Sequence, residues 1–196
     1  YLRYISHLDL QRTMQRALTR AQIPLWYTEG FNPHPKMVFS MPLSMYQESL
    51  CEFVDMEMDG AGYDEIAARL AAAFPPGLRV TAAAAPVFPV KRIKYAVYRI
   101  GIVTSLAAAE AERALAGPMP VEKRGKSGVR TLDIRPLIRD CAVAQTGDGL
   151  ALDATVDASG ESYLNPSYIA AFLDPAAEDV RVLRRRFLLA DGGAFC

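Results

Sequence analysis

"SHLDLQRTMQRALTRAQIPLWYTEGFNPHPKMVFS" runs from Ser6 to Ser40, and its reading decides the fold. Leu10, Met14, Ala17, Leu18 and Ala21 recur at three- and four-residue spacing, so residues 7–22 read as a helix with one apolar stripe. Ser6, followed three residues later by Asp9, is a capping-box-like start in which the acid stands in for Glu or Gln. Pro24 ends the helix. Gly30, Pro33 and Pro35 then restrict the chain to a stiff irregular loop, and Met37 to Pro42 reads as a strand.

Working outward, Ser49 to Met58 alternates apolar with polar or acidic residues and is expected to be a half-buried strand, hairpinned to the one before it. Tyr63 to Phe74 is a second amphipathic helix closed by Pro75-Pro76-Gly77, and Leu78 to Ala85 reads as a further strand. With a strand ahead of Ser6, the order becomes the split βαβ or ferredoxin-like one. It recurs after "PVFPVKRI" (86–93). Tyr95–Thr104 is strand-like, Leu106–Leu115 a helix, and Val121–Arg124 with Arg130–Ile134 two short strands around "GKSG". Cys141–Thr146 and Leu150–Asp157 make a hairpin, Pro166–Leu173 a short helix after Asn165, and Val180–Leu189 a closing strand. The expected class is α+β: two ferredoxin-like halves, residues 1–88 and 89–196, with mainly antiparallel sheets, the second half embellished.

The chain has 196 residues, 51% of them hydrophobic, enough to bury a real core. Formal net charge is zero, so any attraction to phosphate has to come from a local basic patch. The three cysteines, Cys51, Cys141 and Cys196, are far apart and odd in number, which argues against a disulfide framework or a metal site and for a reducing cytoplasm. No apolar run approaches a membrane span. Tyr1 to Ile5 reads as the tail of something earlier, so a leading segment is expected to be missing.

Arg12, Arg16 and Arg20 are successive i, i+4 neighbours, placing three guanidiniums on one helix face. That pattern reads either as a solvated face with acidic neighbours or as a phosphate track. In the loop, Glu29, Phe31, Asn32, His34 and Lys36 combine an aromatic, an amide, a titratable imidazole and a fixed charge within a proline-braced backbone, which suits recognition; Phe31 or Trp26 is placed to stack on a base. The alternative for His34 is a bond to a nearby carbonyl within a proline-shaped turn. His7, at the first helical turn, reads as a capping or packing residue. Were it to meet His34, general acid–base cleavage of RNA would be the chemistry. In the second half, Lys123, Arg124, Lys126 and Arg130 flank a glycine-containing turn that suits a phosphate backbone, and Arg184 and Arg186 are expected on one strand face with Arg185 on the other.

The stretch from "YISHLDLQRTMQRALTRAQ" (4–22) through "GFNPHPK" (30–36) to "VDMEM" (54–58) resembles the opening of the radical SAM-linked protein family, a bacterial domain of unknown function found alone or fused to the C-terminus of radical SAM proteins. "GVRTLDIRPLI" (128–138) and "RVLRRRFLL" (181–189) extend the likeness across essentially the whole chain. The resemblance implies a strand before the helix that this sequence lacks. Where related sequences often have glycine, it reads Ser44-Met45-Tyr46. It also implies a radical SAM protein as partner. No CxxxCxxC motif occurs here, so the iron–sulfur cluster and S-adenosylmethionine are expected only in that partner. Joined to the basic residues, this makes an RNA-binding module, for tRNA or rRNA modification, the leading expectation. A metal-independent RNA endonuclease using His7 and His34, and a pure protein-interaction module, are the alternatives.

Overall fold

The computed structural model describes residues 2–60, 62–125 and 128–196. In chain order the regular elements are α1 (His7–Arg20), β1 (Met37–Phe39), β2 (Gln47–Ser49), β3 (Val54–Met56) and α2 (Tyr63–Ala73), followed by β4 (Tyr95–Val103) and α3 (Ala108–Ala116). Then come β5 (Pro120–Gly125), β6 (Gly128–Asp133), β7 (Ile138–Gln145), β8 (Gly149–Asp157), α4 (Ser167–Leu173) and β9 (Val180–Leu188). They form an α+β protein with mostly antiparallel sheets. Two compact units result: one holds the residues up to Met45 with Glu52–Val90 and Cys196, the other Tyr46–Cys51 with Lys91–Phe195.

In the first unit, α1 starts as the sequence predicts. The Ser6 hydroxyl oxygen accepts from the Asp9 backbone N–H at 3.1 Å and its O–H donates to the Asp9 carboxylate at 2.7 Å. That hydroxyl, with Arg12 beside it, holds the Asp9 carboxyl below the ordinary aspartate range. Leu18, Ala21 and Ile23 pack with Ile66 and Leu70 of α2, and Met14, Met37, Met56 and Phe74 complete this core. β1 and β3 pair antiparallel, Met37 opposite Met56.

Two expected strands of this half are different in the structure. Among the described residues Leu78–Ala85 joins no ladder, and period alone does not make a strand. Ser49–Met58 is not one strand. β2 ends at Ser49 and pairs in the second unit, and regular structure resumes only at Val54.

The second unit carries the split βαβ order β4-α3-β7-β8-α4-β9, and its sheet runs β2-β9-β4-β8-β7. All contacts between neighbouring strands are antiparallel except the parallel addition of β2 to β9. Ala96, Tyr98, Ile100 and Ile102 alternate on one face of β4 and are buried with Leu150, Leu152, Ala154 and Val156 of β8. Ala111 and Leu115 of α3 and Ile169 and Ala170 of α4 are buried as well. At Gly149 a Cβ would stand 2.1 Å from the Ile102 carbonyl oxygen, so only glycine fits the start of β8.

β9 corrects the expected arginine faces. The register slips by one residue opposite Val97 and Tyr98, which pair with Arg186 and Arg184, leaving Arg185 as the extra residue of a β-bulge. Arg184 therefore shares a face with Phe187 rather than with Arg186, and it is fully buried while Arg185 and Arg186 are exposed. Strict alternation holds only where no residue is inserted.

Tyr46, in the Ser44-Met45-Tyr46 run where the resemblance pointed to glycine, has a φ of +68°. A left-handed backbone disfavours any residue with a Cβ by about 1 kcal/mol. In Tyr46→Gly the relief of that strain is expected to offset the loss of the Tyr46 side chain's interactions, leaving stability within about 1 kcal/mol of the parent; equilibrium urea unfolding measures it, and a much larger loss would contradict the strain.

Candidate nucleic-acid interface

Loop 26–36 is built by backbone hydrogen bonds at both ends. Trp26 N–H donates to the Glu57 carbonyl (2.8 Å), Lys36 N–H to the Trp26 carbonyl (2.8 Å) and Glu57 N–H to the Lys36 carbonyl (3.3 Å). Further out, Thr28 N–H donates to the His34 carbonyl (2.8 Å), and His34 N–H donates to the Thr28 hydroxyl oxygen (3.0 Å). Gly30, at φ +128°, turns the tip. The closed loop presents aromatic surface to water: Trp26 is 49% exposed, Tyr27 51%, and Phe31 fully. Lys36 Nζ lies 5.3 Å over the Trp26 ring and 2.8 Å from the Glu57 carboxylate. Phe31 is wholly in water, and Trp26 and Tyr27 keep about half of their surface there.

The two histidines make different contacts. His7 sets its ring edge-on against Phe39, centroids 5.5 Å apart, and its Nε2 is 3.1 Å from the Gln11 side-chain nitrogen. His34 is exposed on the loop, with its backbone rather than its imidazole engaged. No hydrogen bond or ring contact joins them among the described residues.

The guanidinium row is also largely occupied. Arg12 pairs with Asp9 at 3.4 Å, and Arg20 donates to the Ala73 carbonyl at 2.7 Å. Arg16 alone of the three has neither an ion pair nor a side-chain hydrogen bond among the described residues, and it is exposed. Glu29 and Asn32 lie exposed on the loop. Arg69, which the sequence reading missed, donates to the Ala21 (2.8 Å) and Gln22 carbonyls while pairing with Glu65. Arg20 and Arg69 thus each bond carbonyls at the other helix's C-terminus, the dipole end that favours cations. The open cleft of about 470 Å³ beside them is a helix junction, its charges already engaged. Glu57 is the other residue missed. Only the β1–β3 register, Met37 opposite Met56, sets Glu57 beside Lys36.

In the second unit Lys123 and Arg130 face each other across the β5–β6 hairpin, both exposed. Lys126 and the side chain of Arg124 lie outside the described residues. A smaller cavity of about 200 Å³ is lined by Glu112, Met119, Arg135, Asp140 and Cys141. Burial, with Asp140 adding to it, pushes the Cys141 thiol up to about 11, so it is a neutral thiol at physiological pH. Among the described residues no group of three or more His, Cys, Asp or Glu side chains is arranged to hold a metal ion, and no helix is long and apolar enough to cross a membrane.

Fold and surface together define a two-unit α+β protein that shows an exposed aromatic loop, closed by backbone hydrogen bonds, in its first unit and a split βαβ sheet in its second. The chain belongs to the bacterial family described as "Uncharacterized protein conserved in bacteria (DUF2344)", whose model matches residues 1–166. No curated protein matches it. Among solved structures it is similar to a chain of "Crystal Structure of a Cbf5-Nop10-Gar1 Complex", at 12% identity and a TM-score of 0.47 over 94% of this chain. It spans 46% of that chain, less than half its length.

Proposed function

We propose that the chain is a non-catalytic module that binds single-stranded RNA on loop 26–36. A radical SAM protein, implied by the family resemblance, is the partner to which the RNA is presented, and that partner supplies the iron–sulfur cluster and S-adenosylmethionine. The carrying observation is the exposure of Trp26, Tyr27 and Phe31 on one backbone-pinned loop. Every base has a π face, so such a platform grips unpaired nucleotides without reading sequence, at about 1–3 kcal/mol per stacked base. A pre-closed loop loses little entropy on binding.

Electrostatics plays a secondary part on this loop. Net charge is zero, and Lys36 and Arg12 already have carboxylate partners. Stacking needs bases free of a duplex, and that sets the test. Labelled single-stranded RNA is expected to bind at least about tenfold more tightly than a blunt duplex of the same composition, a difference of about 1.4 kcal/mol. Equal affinity for both forms in fluorescence anisotropy would remove the reading.

A further inference from the structure

Lys123 and Arg130 are directly opposite partners in the antiparallel β5–β6 ladder, on the same face as Val121 and Leu132. Glu122 stands on the other face, opposite Thr131. Like charges at facing positions, with Cβ atoms about 4.5–5.5 Å apart, destabilise a hairpin. Among the described residues neither cation has an ion pair, in contrast to Arg99 and Arg185, which share Asp153 across the main sheet. The hairpin is moreover an insertion between α3 and β7, unneeded by the split βαβ core, and every residue of β6 is exposed.

Its foot is nonetheless rigid. Met119 and Ile134 are fully buried, and Ile134 N–H donates to the Met119 carbonyl at 3.0 Å. The Asp133 carboxylate accepts the N–H groups of Met119 (2.8 Å) and Arg135 (3.0 Å), which hold its carboxyl below the ordinary range. A two-stranded ribbon has little stability of its own. Here it is firmly based, solvent-exposed along β6, and carries two facing cations that repel until an anion sits between them. Arginine's fork and lysine's ammonium at that separation suit the oxygens of a phosphate diester.

We infer that the Lys123–Arg130 face of the β5–β6 hairpin is a phosphate-backbone contact for nucleic acid. This rests on the RNA reading above but uses different residues and a different force. Fluorescein-labelled oligouridylate is the probe, titrated over a range of salt with the whole chain. Lys123→Ala/Arg130→Ala is expected to reduce the slope of log K against log salt by about 1.4, from about 0.7 per phosphate contact on a single strand. Lys123→Glu places opposite charges across the ladder and is expected to raise the melting temperature while weakening binding. A hairpin that makes no phosphate contact would raise the melting temperature in this variant and leave binding unchanged. An unchanged slope in the double alanine variant, with binding still lost in Trp26→Ala/Phe31→Ala, overturns this inference and leaves the loop reading standing. A reduced slope with binding indifferent to the loop variant supports this inference and removes the loop reading. Absence of binding by the unaltered chain removes both.

Discussion

Arg184→Ala is expected to destabilise the second unit by about 4 kcal/mol, the largest effect of any single substitution considered. The side chain is fully buried, its Nε donates to the Tyr98 hydroxyl at 2.9 Å, and its guanidinium lies 4.7 Å over the Phe187 ring and 5.4 Å over the Tyr98 ring. Truncation removes a long stem from a packed interior, worth about 2–5 kcal/mol for large side chains. It also leaves the Tyr98 hydroxyl without that donor, at about 1–3 kcal/mol. These two costs overlap, so they do not simply add. Arg184→Met keeps most of the volume and should lose only about half as much. Combining it with Tyr98→Phe, which removes the hydroxyl that has lost its Arg184 donor, should recover part of that loss. Urea unfolding followed by far-UV circular dichroism decides the matter. A midpoint for Arg184→Ala within about 0.5 kcal/mol of the parent, the range of ordinary surface changes, would show that Arg184 does not occupy the interior.

Trp26→Ala/Phe31→Ala is expected to weaken single-stranded RNA binding by roughly 100-fold. Each lost stacking contact is worth about 1–3 kcal/mol, and 1.4 kcal/mol is a factor of ten. Phe31 is fully exposed, so its removal should leave folding stability within about 0.5 kcal/mol. Trp26 carries the Lys36 cation, a contact worth about 0.5–1 kcal/mol at exposed sites, so its replacement should cost slightly more. Binding and stability are therefore predicted to separate: affinity collapses while the melting curve barely moves. Arg16→Ala, which removes an exposed α1 guanidinium with neither an ion pair nor a side-chain hydrogen bond among the described residues, should add only a small salt-dependent loss. Parent-like affinity in the double loop variant would leave the rings without the role given to them.

The second unit was legible because its signals are local and mutually consistent. The alternation of Ala96, Tyr98, Ile100 and Ile102, the Gly-containing turn before Leu150 and the short helix after Asn165 each point to the element that forms. What escaped depends on pairing. Whether Leu78–Ala85 becomes a strand is decided by a neighbouring backbone that its own side chains do not specify. The departure of β2 into the other unit's sheet, parallel to β9, is likewise a tertiary event. The bulge at Arg185 shifts parity by one residue and leaves no mark in composition.

The candidate surface was half legible for the same reason. Stiffness and aromatic content of loop 26–36 follow from Gly30, Pro33, Pro35, Trp26, Tyr27 and Phe31 themselves. The fate of the charges does not. Asp9 was close enough in sequence to suggest a partner for Arg12, but Glu57 reaches Lys36 only through strand register, and the Ala73 carbonyl reaches Arg20 only through helix packing. The loop reading therefore draws on the exposed rings.

Trp26 is the only tryptophan in the chain, which gives the loop a built-in reporter. Its emission, followed while single-stranded oligouridylate is added and binding is tracked in parallel by anisotropy, should be quenched in step with occupancy as a base closes on the indole. In Phe31→Ala the same quenching should need at least about tenfold more RNA. RNA that saturates the protein by anisotropy while the Trp26 emission stays unchanged would mean that the bases lie elsewhere, contradicting the stacking platform.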